Sequence, residues 1–125
     1  VKRSEKTRNN NSMTDAAFFG WIRSLLRMRY MRGWKPHNEV AKENRRAITY
    51  KSRSKWEYQC AKCENWFLRK EIDIDHIIPC GTLKSFDDLS QFAKKLFVEK
   101  DGLQVLCKSC HKNKTHDNET NSPLF

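Results

Sequence analysis

The sequence predicts a small α+β protein, with helices in its first half and a cysteine-clamped, strand-containing core in its second. Three observations predict it. Apolar residues recur at helical spacing before residue 49. β-branched residues alternate at period two around residue 74, and two Cys-x-x-C pairs bracket that segment. Only 38% of the 125 residues are apolar, below the ~45–50% of an ordinary globular domain. A chain this short and lean calls for a staple, metal or disulfide.

Charge divides the chain. Residues 1–59 carry 15 Lys/Arg against 5 Asp/Glu, while residues 60–125 carry 10 of each, so the whole net charge of +10 lies in the first half. A one-sided basic excess suits a polyanion, and the interleaved aromatics favour nucleic acid over a merely solubilising tail. No apolar run approaches the roughly 18 residues of a membrane span, so no membrane partner is expected.

Residues 1–13, VKRSEKTRNNNSM, are polar, charged and without periodicity, and read as a disordered basic arm. Thr14 or Asp15 can cap a helix over residues 15–32, with Phe18, Trp21, Ile22, Leu25 and Met28 on its inner face. Gly33 can stop it. Pro36 suits the first turn of a second helix, residues 36–48, with Val40, Ala41, Asn44, Ala47 and Ile48 inward. Residues 49–55, TYKSRSK, read as a basic linker, so residues 14–55 form a helical basic extension. Residues 72–78 read as a strand, and residues 87–98 as an inserted helix with Leu89, Phe92, Ala93 and Leu96 on one side. Residues 103–106 suit a second strand. A final helix then runs to about Thr115, closing a core over residues 56–116, and a flexible tail covers 117–125.

Cys60-x-x-Cys63 and Cys107-x-x-Cys110 can point four thiolates at one centre. No apolar export signal stands in the first residues given, so disulfides are unexpected and a reducing, cytoplasmic setting is expected. Soft sulfur donors at tetrahedral spacing suit one structural zinc, with an iron–sulfur cluster as the alternative. Cys80 has no such partner and reads as a small buried residue.

Asp75-His76 closes the first strand, and His111 directly follows Cys110. A carboxylate and an imidazole inside a hydrophobic strand are costly unless used. The clamp that ties Cys63 to Cys107 should bring the strand end close to His111. Asp75 and His111 could then hold one hard divalent ion, and His76 could take a proton from water at neutral pH.

These segments resemble a known family. Cys60-x-x-Cys63, the run DHIIPCG from Asp75 to Gly81, and the run LQVLCKSCHKNKT from Leu103 to Thr115 are similar to the HNH endonucleases. That family belongs to the ββα-metal, or His-Me finger, nucleases. The basic aromatic stretch FFGWIRSLLR is similar to those of compact HNH proteins encoded by tailed bacteriophages. The resemblance implies a two-stranded hairpin packed on a helix and clamped by a four-cysteine zinc site. It implies His76 as general base and Asp75 and His111 as ligands of a catalytic magnesium or manganese ion. It implies hydrolysis of DNA phosphodiesters, with phage replication or packaging proteins as possible partners. One position departs from the pattern: Gly102 stands where Asn is usual, preceded by Asp101, so either the Gly102 backbone or the Asp101 side chain would have to supply that brace. The alternative is a non-catalytic zinc-ribbon module that binds nucleic acid, or a phage accessory protein.

The basic residues expected to meet DNA phosphates are Arg23, Arg27, Arg45, Arg46, Lys51, Arg53 and Lys55. Lys108, Lys112 and Lys114 flank the expected active site and would approach the scissile strand. Phe18 and Trp21 read as core.

Overall fold

A computed structural model describes residues 4–121, with side chains as far as Thr115. It is α+β, with four helices and three short antiparallel sheets among the described residues. The chain forms two units. One holds the residues up to Trp34 together with Ile78–Val98, and the other holds Lys35–Ile77 together with the residues from Glu99 on.

The first unit opens with a hairpin where disorder was expected. β1 (Lys6–Arg8) pairs antiparallel with β2 (Met13–Thr14). Asn9, Asn10 and Asn11 turn the chain at φ of 52, 54 and 61°, in the left-handed region that Asn tolerates better than most residues. The Arg8 guanidinium lies 5.0, 5.6 and 5.3 Å from the rings of Phe18, Phe19 and Phe86, and its Nε donates to Asp15 at 3.0 Å. These contacts order residues 4–13; residues 1–3 lie outside the described residues.

α1 (Asp15–Gly33) starts as expected, with the Thr14 hydroxyl accepting the Ala17 N–H at 3.1 Å. At its end the Trp34 N–H donates to the Tyr30 carbonyl, and the Trp34 indole donates to the Val98 carbonyl at 2.6 Å. The inserted helix is α3 (Leu89–Leu96), with Phe92 and Leu96 buried as expected. They join Phe19, Tyr30, Leu83 and Cys80 in one core, with Phe18, Ile22 and Leu26 against it.

The inner face of α1 differs from the expected one. Trp21, Leu25 and Met28 are 53, 49 and 46% exposed. Two apolar stripes overlap on this helix, sharing Phe18 and Ile22. The stripe running through Phe19, Leu26 and Tyr30 is the one buried, so spacing alone does not choose between them.

In the second unit, α2 (Lys35–Glu43) buries Val40 and Ala41 as expected but stops before residue 48. The Asn44 side-chain amide donates back to the Val40 carbonyl at 2.7 Å and closes the helix. The next residues become β3 (Arg45–Ala47), which pairs with β4 (Trp56–Gln59), and β4 pairs with β5 (Trp66–Phe67). Residues 49–55 therefore form a hairpin loop and not a linker. The Ile48 N–H donates to the Lys55 carbonyl at 3.0 Å across it.

β6 (Ile72–His76) pairs antiparallel with β7 (Leu103–Cys107), with Ile72 opposite Cys107 and Asp75 opposite Gln104. α4 (Lys108–Asn121) follows without a break. It extends beyond Thr115 through part of the expected tail; residues 122–125 lie outside the described residues. Ala41, Tyr58, Ile72 and Val105 form this unit's main core. The units thus cut across the expected division at residue 55: α2 and β3 belong with the cysteine core, and the inserted helix with α1. Among the described residues, no helix is long and apolar enough to cross a membrane.

Truncation tests the choice of face on α1. Phe19→Ala should destabilise the protein by about 3–5 kcal/mol, while Trp21→Ala should change it by roughly 0.5 kcal/mol or less. Denaturant unfolding measures both.

Candidate metal centre and acidic–imidazole cluster

Cys60 follows directly on β4, and Cys63 lies in the turn before β5. Glu64, at φ 63°, reverses the chain there; its N–H donates to the Cys60 carbonyl, and the Cys60 N–H donates to the Asn65 carbonyl, each at 3.0 Å. The Ala61 N–H donates to the Val105 carbonyl at 2.8 Å and fixes this turn on β7. Cys107 ends β7, and Cys110 sits in the first turn of α4, its N–H donating to the Cys107 sulfur at 3.4 Å. The four sulfurs all lie within 4.8 Å of one another. Neighbouring sulfurs of a tetrahedral zinc site with Zn–S near 2.3 Å stand ~3.8 Å apart. Among the described residues, no other group of three or more His, Cys, Asp or Glu side chains gathers this closely.

Burial pushes the Cys60 thiol up, but hydrogen bonds from the backbone of Cys107, Cys63 and Lys62 outweigh it and bring it down to about 6. Cys110 is pushed up to about 12 by its hydrogen bond with Cys107, by burial and by the Cys60 and Cys63 thiols. Four adjacent thiolates need a cation to coexist, and a soft dication such as zinc fits this donor set.

α4 carries His111 over β6. Its Nδ1 is 2.9 Å from Asp73 Oδ2, and its Nε2 is 3.4 Å from Asp75 Oδ1. Asp75 Oδ2 also accepts from Gln104 Nε2 at 2.9 Å and from the Lys114 ammonium. That ammonium further donates to the backbone carbonyls of His76 and Ile77. Lys108 donates to Asp73. Burial works to raise the Asp73 carboxyl, yet Lys108 and His111 hold it below the usual carboxylate range.

The expected trio is therefore brought together in part. Asp75 and His111 meet. His76 projects to the opposite side of β6, the side of Ile72 and Ile74, because successive strand residues alternate. On α2 the buried His37 imidazole is held below its ordinary value by burial first, and then by the nearby Arg69 and His76. Gly102 braces the loop after His76 through its backbone, its carbonyl accepting the Ile77 N–H at 3.0 Å.

The expected DNA-contacting cations divide into groups. Lys108 and Lys114 are bonded to the acids of the cluster, whereas Lys112 is exposed. Arg27 lies 5.8 Å from the Phe92 ring, and Arg23 is exposed on α1. The Arg45 and Arg46 guanidinium groups stand over the rings of Trp56 and Trp66. Lys51, Arg53 and Lys55 are exposed on the β3–β4 loop.

Two polar residues of the cluster escaped the sequence reading, Asp73 and Gln104. Asp73 was visible in principle: it stands two residues before Asp75, so a strand puts both carboxylates on one face. Gln104 depends on the cross-strand register, which the sequence does not state.

Acid should expose the role of Asp73. A carboxyl held low in the folded state contributes stability above its unfolded pKa of ~3.9 and loses it as pH falls through the folded value. The thermal midpoint of the native chain should therefore drop more steeply between about pH 5 and 3 than that of Asp73→Asn. Parallel curves would remove the carboxylate from the account. Independently, Lys114→Met should lower the midpoint, because it leaves Asp75 and two carbonyls without their shared donor; an unchanged midpoint would show that the donor is dispensable.

No protein-family model matches the chain, and no curated protein or solved structure is significantly similar to it.

Proposed function

We propose that this protein is a metal-dependent DNA endonuclease of the HNH, ββα-metal type, of the kind tailed phages encode. The observation that carries the reading is the meeting of Asp75 and His111, an oxygen and a nitrogen donor 3.4 Å apart, on an antiparallel strand pair that leads straight into a helix. The cluster attracts cations: the Lys114 ammonium is held by Asp75 and by the carbonyls of His76 and Ile77. The four cysteines, holding zinc, clamp the base of that strand pair.

In this reading Asp75 and His111 would hold one magnesium or manganese ion, which when bound would supply charge stabilisation to the phosphate and its leaving oxygen. His76 accepts the proton of the attacking water at a ring nitrogen. Asp73 orients the His111 ring through Nδ1, leaving Nε2 directed at Asp75. The Gly102 carbonyl holds the backbone after His76. The exposed cations Arg23, Lys51, Arg53, Lys55 and Lys112 meet phosphates, in a reducing cytoplasm that keeps the cysteines from forming disulfides.

The pairing of both acids with lysines, and the opposite projection of His76, favour the second reading, a zinc-clamped nucleic-acid-binding or phage accessory protein without catalysis. Nicking of supercoiled plasmid with magnesium or manganese separates the two. The native chain should nick, and His76→Ala should slow nicking by roughly 10²–10⁴-fold. Salt-sensitive DNA binding without cleavage would select the second reading.

A further inference from the structure

Two guanidinium groups stand over indole rings of the β3–β4–β5 sheet, on opposite faces, and their surroundings differ. Arg46 sits 3.9 Å from the Trp66 ring, and its Nε donates to Glu57 at 2.6 Å. Glu57 is buried, so that guanidinium has its charge matched and its edge in use. Arg45 sits 4.0 Å from the Trp56 ring, and among the described residues no acid is bonded to it. Trp56 is 38% exposed, and its cross-strand neighbour is the small Ala47. The first stack is accounted for by the fold; the second leaves a part-exposed ring and a half-buried guanidinium to which no acid is bonded.

The neighbouring loop carries the same sign of charge. Between Asn44 and Trp56 there is no acidic residue, and Lys51, Arg53 and Lys55 are all exposed. Phosphates alone need only such cations. An exposed indole with a guanidinium laid on it adds a flat, positive π-surface, on which a nucleobase stacks. Bases inside a duplex are stacked on one another and cannot reach it, whereas unpaired bases can.

We infer that Trp56, Arg45 and the β3–β4 loop form a binding site for unpaired nucleotides of DNA. Trp56 and Arg45 stack a base, and Lys51, Arg53 and Lys55 neutralise the phosphates beside it. The inference rests on DNA as the partner and deepens that reading: the substrate is DNA with a single-stranded stretch.

Fluorescence anisotropy with a dye-labelled oligothymidylate and a blunt duplex of equal phosphate number, without added divalent ion, tests it. Trp56→Ala should weaken oligothymidylate binding by about 5- to 150-fold, the loss expected for one base–aromatic stack. Duplex binding should change by less than about twofold, because no phosphate contact is removed. Arg45→Lys, which keeps the charge and loses the planar stack, should show the same selectivity and carries the test if Trp56→Ala does not fold. Equal weakening on both probes, or none on either, overturns the inference. Strand discrimination without plasmid cleavage defeats the nuclease reading alone; cleavage without discrimination defeats this inference alone.

Discussion

Four sulfurs within 4.8 Å join two turns that have 43 residues between them, and most of the second unit depends on that junction. Closing so long a loop costs conformational entropy, and a metal–thiolate bond set is strong enough to offset it. The first turn fixes the Cys60–Cys63 connection from β4 to β5. The second sits at the seam between β7 and α4. Because Cys107 ends the strand and Cys110 begins the helix, α4 has little freedom in where it starts. His111 is then set over β6 at the level of Asp73 and Asp75. The site's geometry is in this sense a consequence of the knot.

The apolar cores are small, and charged side chains do work that larger cores leave to hydrocarbon. Arg8 covers three phenylalanine rings, and Arg46 lies on Trp66 while matching Glu57. Lys108 and Lys114 neutralise the two aspartates beneath α4. The net charge of +10 therefore overstates what is free to meet a polyanion. The β3–β4 loop retains exposed cations, and it lies next to the one guanidinium–indole stack that reaches the surface without an acid.

The legible parts of the fold were those written in local pattern. The Thr14 cap, the period-two strand, the inserted helix with Phe92 and Leu96, and the pairing of the two cysteine turns all follow from spacing. The illegible parts depend on partners distant in sequence or on a single side chain. α1 is apolar on two overlapping stripes, and only its packing against α3 chooses one. Asn44 ends α2 by bonding back to Val40, a role its helical spacing conceals. The Asn9–Asn11 run reads as disorder by composition yet makes a turn, because Arg8 finds aromatic rings to rest on. In the site, Asp75 and His111 were legible as a pair. The lysines that occupy the acids were read as free cations, since cross-element ion pairs leave no periodic trace.

The central claim is that a metal held by Cys60, Cys63, Cys107 and Cys110 organises the second unit. Hydrogen exchange of the purified protein before and after metal removal, with zinc content measured alongside, tests it most directly. About one zinc per chain is expected, with loss of amide protection in β6, β7 and the start of α4 when it is stripped. A metal-free protein that keeps its protection in those elements would contradict it.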